Sequence, residues 1–130
     1  MLATQQVFEQ LSSEILGAAV AVHRALGAGY SESVYANALS VALTERHVPH
    51  VREHEVDLYF HEVHIGKHRL DLVVDDTIVV ELKAVEKVLE VHKAQLRSYL
   101  RSTNKEIGLL LNFDAPILEI KRIVNTHTPQ

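Results

Sequence analysis

"DLVVDDTIVVELKAVEK", residues 71–87, reads as a strand, a tight turn and a second strand, except that Glu81 and Lys83 interrupt the second strand among Val79, Val80, Leu82 and Ala84. Alternate strand residues share a face, so Val79, Glu81 and Lys83 point one way while Ile78, Val80 and Leu82 point the other. Glu81 and Lys83 therefore look into the same space. Burying both charges costs on the order of several kcal/mol unless they are paired or hold a cation. A divalent metal resolves the difficulty if a second carboxylate joins Glu81. Asp71, which opens the preceding strand, is the candidate.

The turn decides whether Asp71 can do so. If Asp75 and Asp76 alone form a two-residue turn, Val74 pairs with Thr77, and Asp71 and Glu81 fall on opposite sides of the sheet. A three-residue loop of Asp75, Asp76 and Thr77 pairs Val74 with Ile78 and sets Asp71 opposite Glu81. The metal reading requires the odd loop or a bulge, and Thr77 is a poor residue for the left-handed conformation such loops often need.

Upstream, Phe8, Leu11, Ile15, Ala18 and Val22 recur at helical spacing, predicting a helix from about residue 5 to 26 that Gly27 and Gly29 break. A second helix is expected from an N-cap at Ser31 to about His47, with Val34, Ala38, Leu39 and Val41 on its apolar side. From Val51 the period changes to two, predicting three or four antiparallel strands. Helical spacing returns over residues 89–103. "EIGLLLNF" (106–113) is an apolar strand, and residues 117–124 are a strand or a helix. The order helix, helix, strands, helix, strand predicts an α/β layer fold in which the late strand runs parallel to an earlier one, because a helix crosses over between them.

The chain has 130 residues, 47% hydrophobic and 23% charged, with no Cys, which fits one globular domain and excludes a disulfide scaffold or a Cys-based zinc site. No apolar run approaches the roughly 18 residues of a membrane span and the first residues are polar, so the expected location is the cytoplasm. A net charge of −4 provides no general attraction for nucleic acid, so such a role must rest on a local site.

On the helix after the hairpin, His92, Gln95 and Tyr99 share one face, suited to a phosphodiester beside a metal. Lys93, Arg97 and Arg101 lie nearly opposite and read as solvated surface or as a secondary contact with nucleic acid or a partner. His61 and His64 alternate on a strand, so "HEVH" is no zinc motif. His47, His50, His54, His68 and His127 are also read as surface.

These residues together resemble the GxxExxY proteins of the PD-(D/E)xK nuclease superfamily. Gly29-Tyr30-Ser31-Glu32-Ser33-Val34-Tyr35 matches the naming motif, Arg69-Leu70-Asp71 followed by Glu81-Leu82-Lys83 matches the nuclease core, and Gln95 with Tyr99 matches Q-x-x-x-Y. Leu70 stands where the superfamily name has Pro. The resemblance implies a restriction-endonuclease-like α/β core, a mixed central sheet flanked by helices, and hydrolysis of DNA or RNA phosphodiesters with Mg²⁺ or Mn²⁺. It implies Asp71, Glu81, the Leu82 carbonyl and Glu32 as metal or metal-water ligands, Lys83 orienting the attacking water, and Gln95 and Tyr99 positioning phosphate. The alternative is a catalytically weak or silent module, homodimeric, that binds nucleic acid or protein.

Overall fold

The computed structural model describes residues 2–125. Helices α1 (Leu2–Leu26) and α2 (Glu32–Glu45) precede strands β1 (His50–Phe60), β2 (Val63–Val74) and β3 (Ile78–Lys83). Helix α3 (Glu90–Thr103) then leads to β4 (Ile107–Asn112) and β5 (Glu119–Val124). The sheet order is β1-β2-β3-β4-β5. Neighbours are antiparallel except β3 and β4, which run parallel with α3 as the crossover. This is the α/β architecture expected, a mixed sheet flanked by helices. Residues 119–124, open between strand and helix, form the edge strand β5.

The register turns on the Asp-Asp turn. Asp75 and Asp76 both take left-handed φ, 50° and 52°, and the Thr77 amide donates to the Val74 carbonyl at 2.9 Å. Aspartate tolerates this conformation better than a β-branched residue. Thr77 escapes it as an extra residue after the turn, so Val74 pairs with Ile78. The two-residue turn and the odd register thus coexist.

Each sheet face has its own core. Leu72, Val74, Ile78, Val80 and Leu82 pack under α1 and α2, against Ile15, Ala18, Leu39 and Leu43. Leu70, Val73, Val79 and Leu110 pack under α3, against Leu96, Tyr99 and Leu100. On α2 the buried face is Tyr35, Leu39 and Leu43, whereas Val34 and Val41 are exposed, contrary to the expected apolar side. Tyr35 turns the helix: its ring stacks on Phe113 with centroids 4.7 Å apart, and its hydroxyl donates to the Gly27 carbonyl.

The β1–β2 hairpin is irregular opposite Asp71. Arg52 pairs with Leu72 and His54 with Leu70, which sets Glu53 across from Asp71, and Glu53 has φ 53°. A left-handed non-glycine inside a strand is uncommon and interrupts the pleat. Leu70 and Leu72 accordingly pack into opposite cores although they lie two apart.

Candidate active site

The β2–β3 ladder runs from Val74 and Ile78 to Leu72 and Val80, and its next step brings Asp71 opposite Glu81. There the side chains take part in the bonding between the strands. The Asp71 amide donates to Glu81 Oε1 at 3.1 Å, and the Leu82 amide donates to Asp71 Oδ2 at 2.9 Å. Because N–H and C=O of one strand residue point to the same edge, the Leu82 carbonyl faces this side as well.

Glu81 is 5% exposed. Burial, reinforced by the neighbouring Asp71 carboxylate, pushes its carboxyl up to about 8, against the opposing pull of the Asp71 amide and the Lys83 ammonium. Burial also raises Asp71, while the Leu82 amide, Lys83 and Arg69 hold it down in part. Two carboxylates in one partly desolvated place disfavour double ionisation unless a cation joins them.

Helix α3 brings Tyr99 over this pair. Its phenol is raised by burial and then by the charges of Glu81 and Asp71, and Gln95 hydrogen-bonds the phenol. Glu32 approaches from α2. It lines a cavity of about 260 Å³ with Asp71, and its charge reaches Glu81. Among the described residues no three His, Cys, Asp or Glu side chains are gathered closely enough to hold a metal ion, so Glu32 stands off from the carboxylate pair. Two carboxylates and a carbonyl remain. That all-oxygen set suits Mg²⁺ or Mn²⁺, because such ions take one or two carboxylates and keep several waters.

The sequence reading missed several neighbours. Asn112, fully buried, is the register partner of Lys83; its Oδ1 accepts from the Val85 amide at 3.0 Å and its Nδ2 donates to the Val85 carbonyl at 2.8 Å. A polar residue ending the apolar run "GLLLN" is the same signal that singles out Glu81. His68, expected at the surface, packs edge-on against Tyr99 at 4.2 Å with its Nδ1 buried, and burial lowers its pKa. His92 accepts the Leu89 amide at 2.9 Å, which makes it a cap of α3. Lys93 and Arg97, both part-exposed, lie beside Glu90 at 3.1 and 4.0 Å. His127 lies outside the described residues.

A roomier hollow of about 480 Å³, lined by His54, Leu70 and Lys105 among others, holds none of the site residues. The carboxylate pair, where charge is buried, marks the chemistry better than volume does. The family profile described as PD-(D/E)XK nuclease superfamily matches residues 9–123, which spans every residue of the cluster. No curated protein matches the chain.

Proposed function

We propose that this chain, which belongs to the PD-(D/E)XK nuclease superfamily, is a Mg²⁺- or Mn²⁺-dependent nuclease that hydrolyses phosphodiester bonds of DNA or RNA. The Gly29–Tyr35 stretch supports reading it as one of the GxxExxY proteins of that superfamily. One observation supports the reading: Asp71 and Glu81 lie on neighbouring strands whose amides hold both carboxylates, with the Lys83 charge acting on both.

Asp71, Glu81 and the Leu82 carbonyl would hold the ion, and Glu32, which lines the cleft beside Asp71, would act as a ligand through an ion-bound water. When bound, the cation supplies Lewis-acid stabilisation of phosphoryl charge and lowers the pKa of a water. Lys83 orients the attacking water and counters charge developing on the phosphate. Gln95 and Tyr99 fix a phosphate oxygen through their linked side chains.

The test is cleavage of single-stranded DNA, duplex DNA and RNA with Mg²⁺ or Mn²⁺ by the wild type, Lys83→Ala and Asp71→Asn. Loss of roughly 10²-fold or more in both variants is expected, on the scale of removing one stabilising group from a transition state. Equal activity in all three proteins overturns the assignment.

A binding-module reading is favoured by one observation. Tyr59, Phe60, Val63 and Ile65, at the tip of the β1–β2 hairpin, are each more than 60% exposed. Apolar tips of this kind mark protein contacts. A dimer in solution combined with no cleavage of any polymer decides for that reading.

A further inference from the structure

The cleft beside Asp71 contains guanidinium groups as well as carboxylates: Arg52 and Arg69 line it together with Glu32, Glu53, Ser33 and Asp71. Along the sheet the two arginines bracket the aspartate. Arg69 precedes Asp71 by two residues on β2, and Arg52 on β1 lies opposite Leu72, one residue beyond. The separation is three residue levels, roughly 10 Å of strand. In a regular pleat Arg52 and Arg69 would point to opposite faces. The left-handed Glu53 between them breaks the alternation, and both reach one cleft.

Each guanidinium is held by a replaceable partner. Arg52 Nη2 donates to Asn37 Oδ1 at 2.7 Å, and Arg69 Nη2 meets Glu53 Oε1 at 2.7 Å with both side chains more than 60% exposed. Exposed pairs of this kind are weak, whereas a guanidinium fork matches a phosphate through two parallel bonds. With a net charge of −4 the chain offers a polyanion no general attraction, so its affinity must come from cations placed at the site. On α3, Lys93 and Arg97 lie beside Glu90, at 3.1 and 4.0 Å, and are not among the residues that line this cleft.

We propose that Arg52 and Arg69 form a two-point clamp on a phosphodiester backbone, gripping the phosphates on either side of the one presented to Asp71. The clamp rests on the nuclease reading above and specifies how its substrate is held. Phosphate contacts position a strand without reading its sequence. Asn37 and Glu53 hold the guanidiniums in place until substrate displaces them.

The test is fluorescence anisotropy of end-labelled single-stranded DNA, duplex DNA and RNA, titrated from 50 to 200 mM KCl with Mg²⁺ present, in a Lys83→Ala background so that the polymer stays intact. Arg52→Gln and Arg69→Gln should each weaken binding several-fold at low salt. Each should also reduce the slope of log affinity against log salt by about 0.7 on single strands or 0.9 on duplex. Arg52→Lys and Arg69→Lys should restore the slope while recovering affinity only in part. Arg97→Gln, outside this cleft, should change neither. In the active protein the Arg→Gln variants should raise KM more than they lower kcat. Unchanged affinity and slope in both glutamine variants, with a parent that binds and a wild type that cleaves, overturns the clamp and leaves the nuclease reading standing. A parent that binds no polymer, with a wild type that cleaves none, overturns both.

Discussion

The backbone amide of Asp71 donates to the carboxylate of Glu81 at 3.1 Å, while the two side-chain charges repel. Burial, with the Asp71 charge beside it, outweighs that bond and gives a pH dependence of unusual sign for a carboxylate. Glu81 titrates near 8 in the fold against 4.5 in its ordinary state, so the folded protein binds more protons than the unfolded chain between those values. Stability of the metal-free protein should then fall as pH rises through that window, by on the order of a few kcal/mol in total, with Asp71 acting in the same direction. Chelator-treated wild type should show a Tm that drops from pH 5 to pH 8, and Glu81→Gln should flatten the curve. Because ion binding needs the deprotonated pair, saturating Mg²⁺ should raise Tm more at pH 8 than at pH 6. A flat wild-type curve would mean that burial and repulsion do not govern the site.

Thr77 is the residue that parity makes surplus in the turn. Deleting it lets Asp75 and Asp76 close a two-residue turn directly on Ile78, so Val74 keeps its partner and Asp71 stays opposite Glu81. The variant should therefore keep a Tm gain from Mg²⁺, and loss of that gain would show that the extra residue itself sets the register. Thr77→Gly keeps the residue count and should keep the metal response. Circular dichroism melts with and without Mg²⁺ compare the two.

Much of this was legible in residues 71–87. The need to bury charge among valines requires a partner for Glu81, and parity requires an odd loop to provide Asp71. What sequence could not specify was how the loop would be odd. Left-handed φ was expected to be a burden on Thr77, and two aspartates carry it instead. Periodicity placed Leu39 and Ala38 of α2 on the core but wrongly added Val34 and Val41, because contacts of Tyr35 with Phe113 and Gly27 fix the rotation. Asn112 carried a signal, a polar residue ending a buried apolar run, whereas the roles of Arg52 and of the Arg69 side chain come from the strand across from them. Glu32, read by motif as a metal or metal-water ligand, reaches the cleft beside Asp71 from α2 without gathering into a three-carboxylate group with Asp71 and Glu81.

Helix α3 is seated over β4 by the absence of a side chain. A Cβ on Gly108 would meet Leu96 Cδ1 at 2.9 Å and its Cγ at 3.0 Å, and Leu96 is fully buried. Gly108→Ala should therefore cost about 1–3 kcal/mol by overpacking. Leu96→Ala alone should cost about 2–5 kcal/mol through the cavity it leaves. Since the two changes act on one space, the double variant should cost less than the sum of the singles. Urea denaturation of the four proteins measures the coupling, and strict additivity would show that the contact does not position the helix. Gln95 and Tyr99 ride on α3, so Gly108→Ala should also lower cleavage at temperatures where the variant remains folded.

Asn112 fastens the chain immediately after Lys83. Beyond its two bonds to Val85, its Oδ1 accepts from the Asp114 amide at 3.2 Å and its Nδ2 donates to Glu119 Oε1 at 3.0 Å. The Phe113 amide adds a bond to the Lys83 carbonyl at 2.9 Å. The Asn112 side chain thus extends the β3–β4 ladder past its last backbone pair and fixes the direction in which β3 ends. Asn112→Leu keeps the volume but strands the amide and carbonyl of Val85, which should cost roughly 2–3 kcal/mol. If the role is to hold Lys83 on the Glu81 face, kcat should fall at least tenfold at temperatures well below the variant's Tm while Mg²⁺ binding, measured by calorimetry, stays near wild type, since Asp71 and Glu81 are untouched. Asn112→Asp keeps the acceptor for Val85 but sets a carboxylate against Glu119, so it should be destabilised further and recover as pH is lowered. A kcat that follows the folded fraction alone would reduce Asn112 to a structural residue.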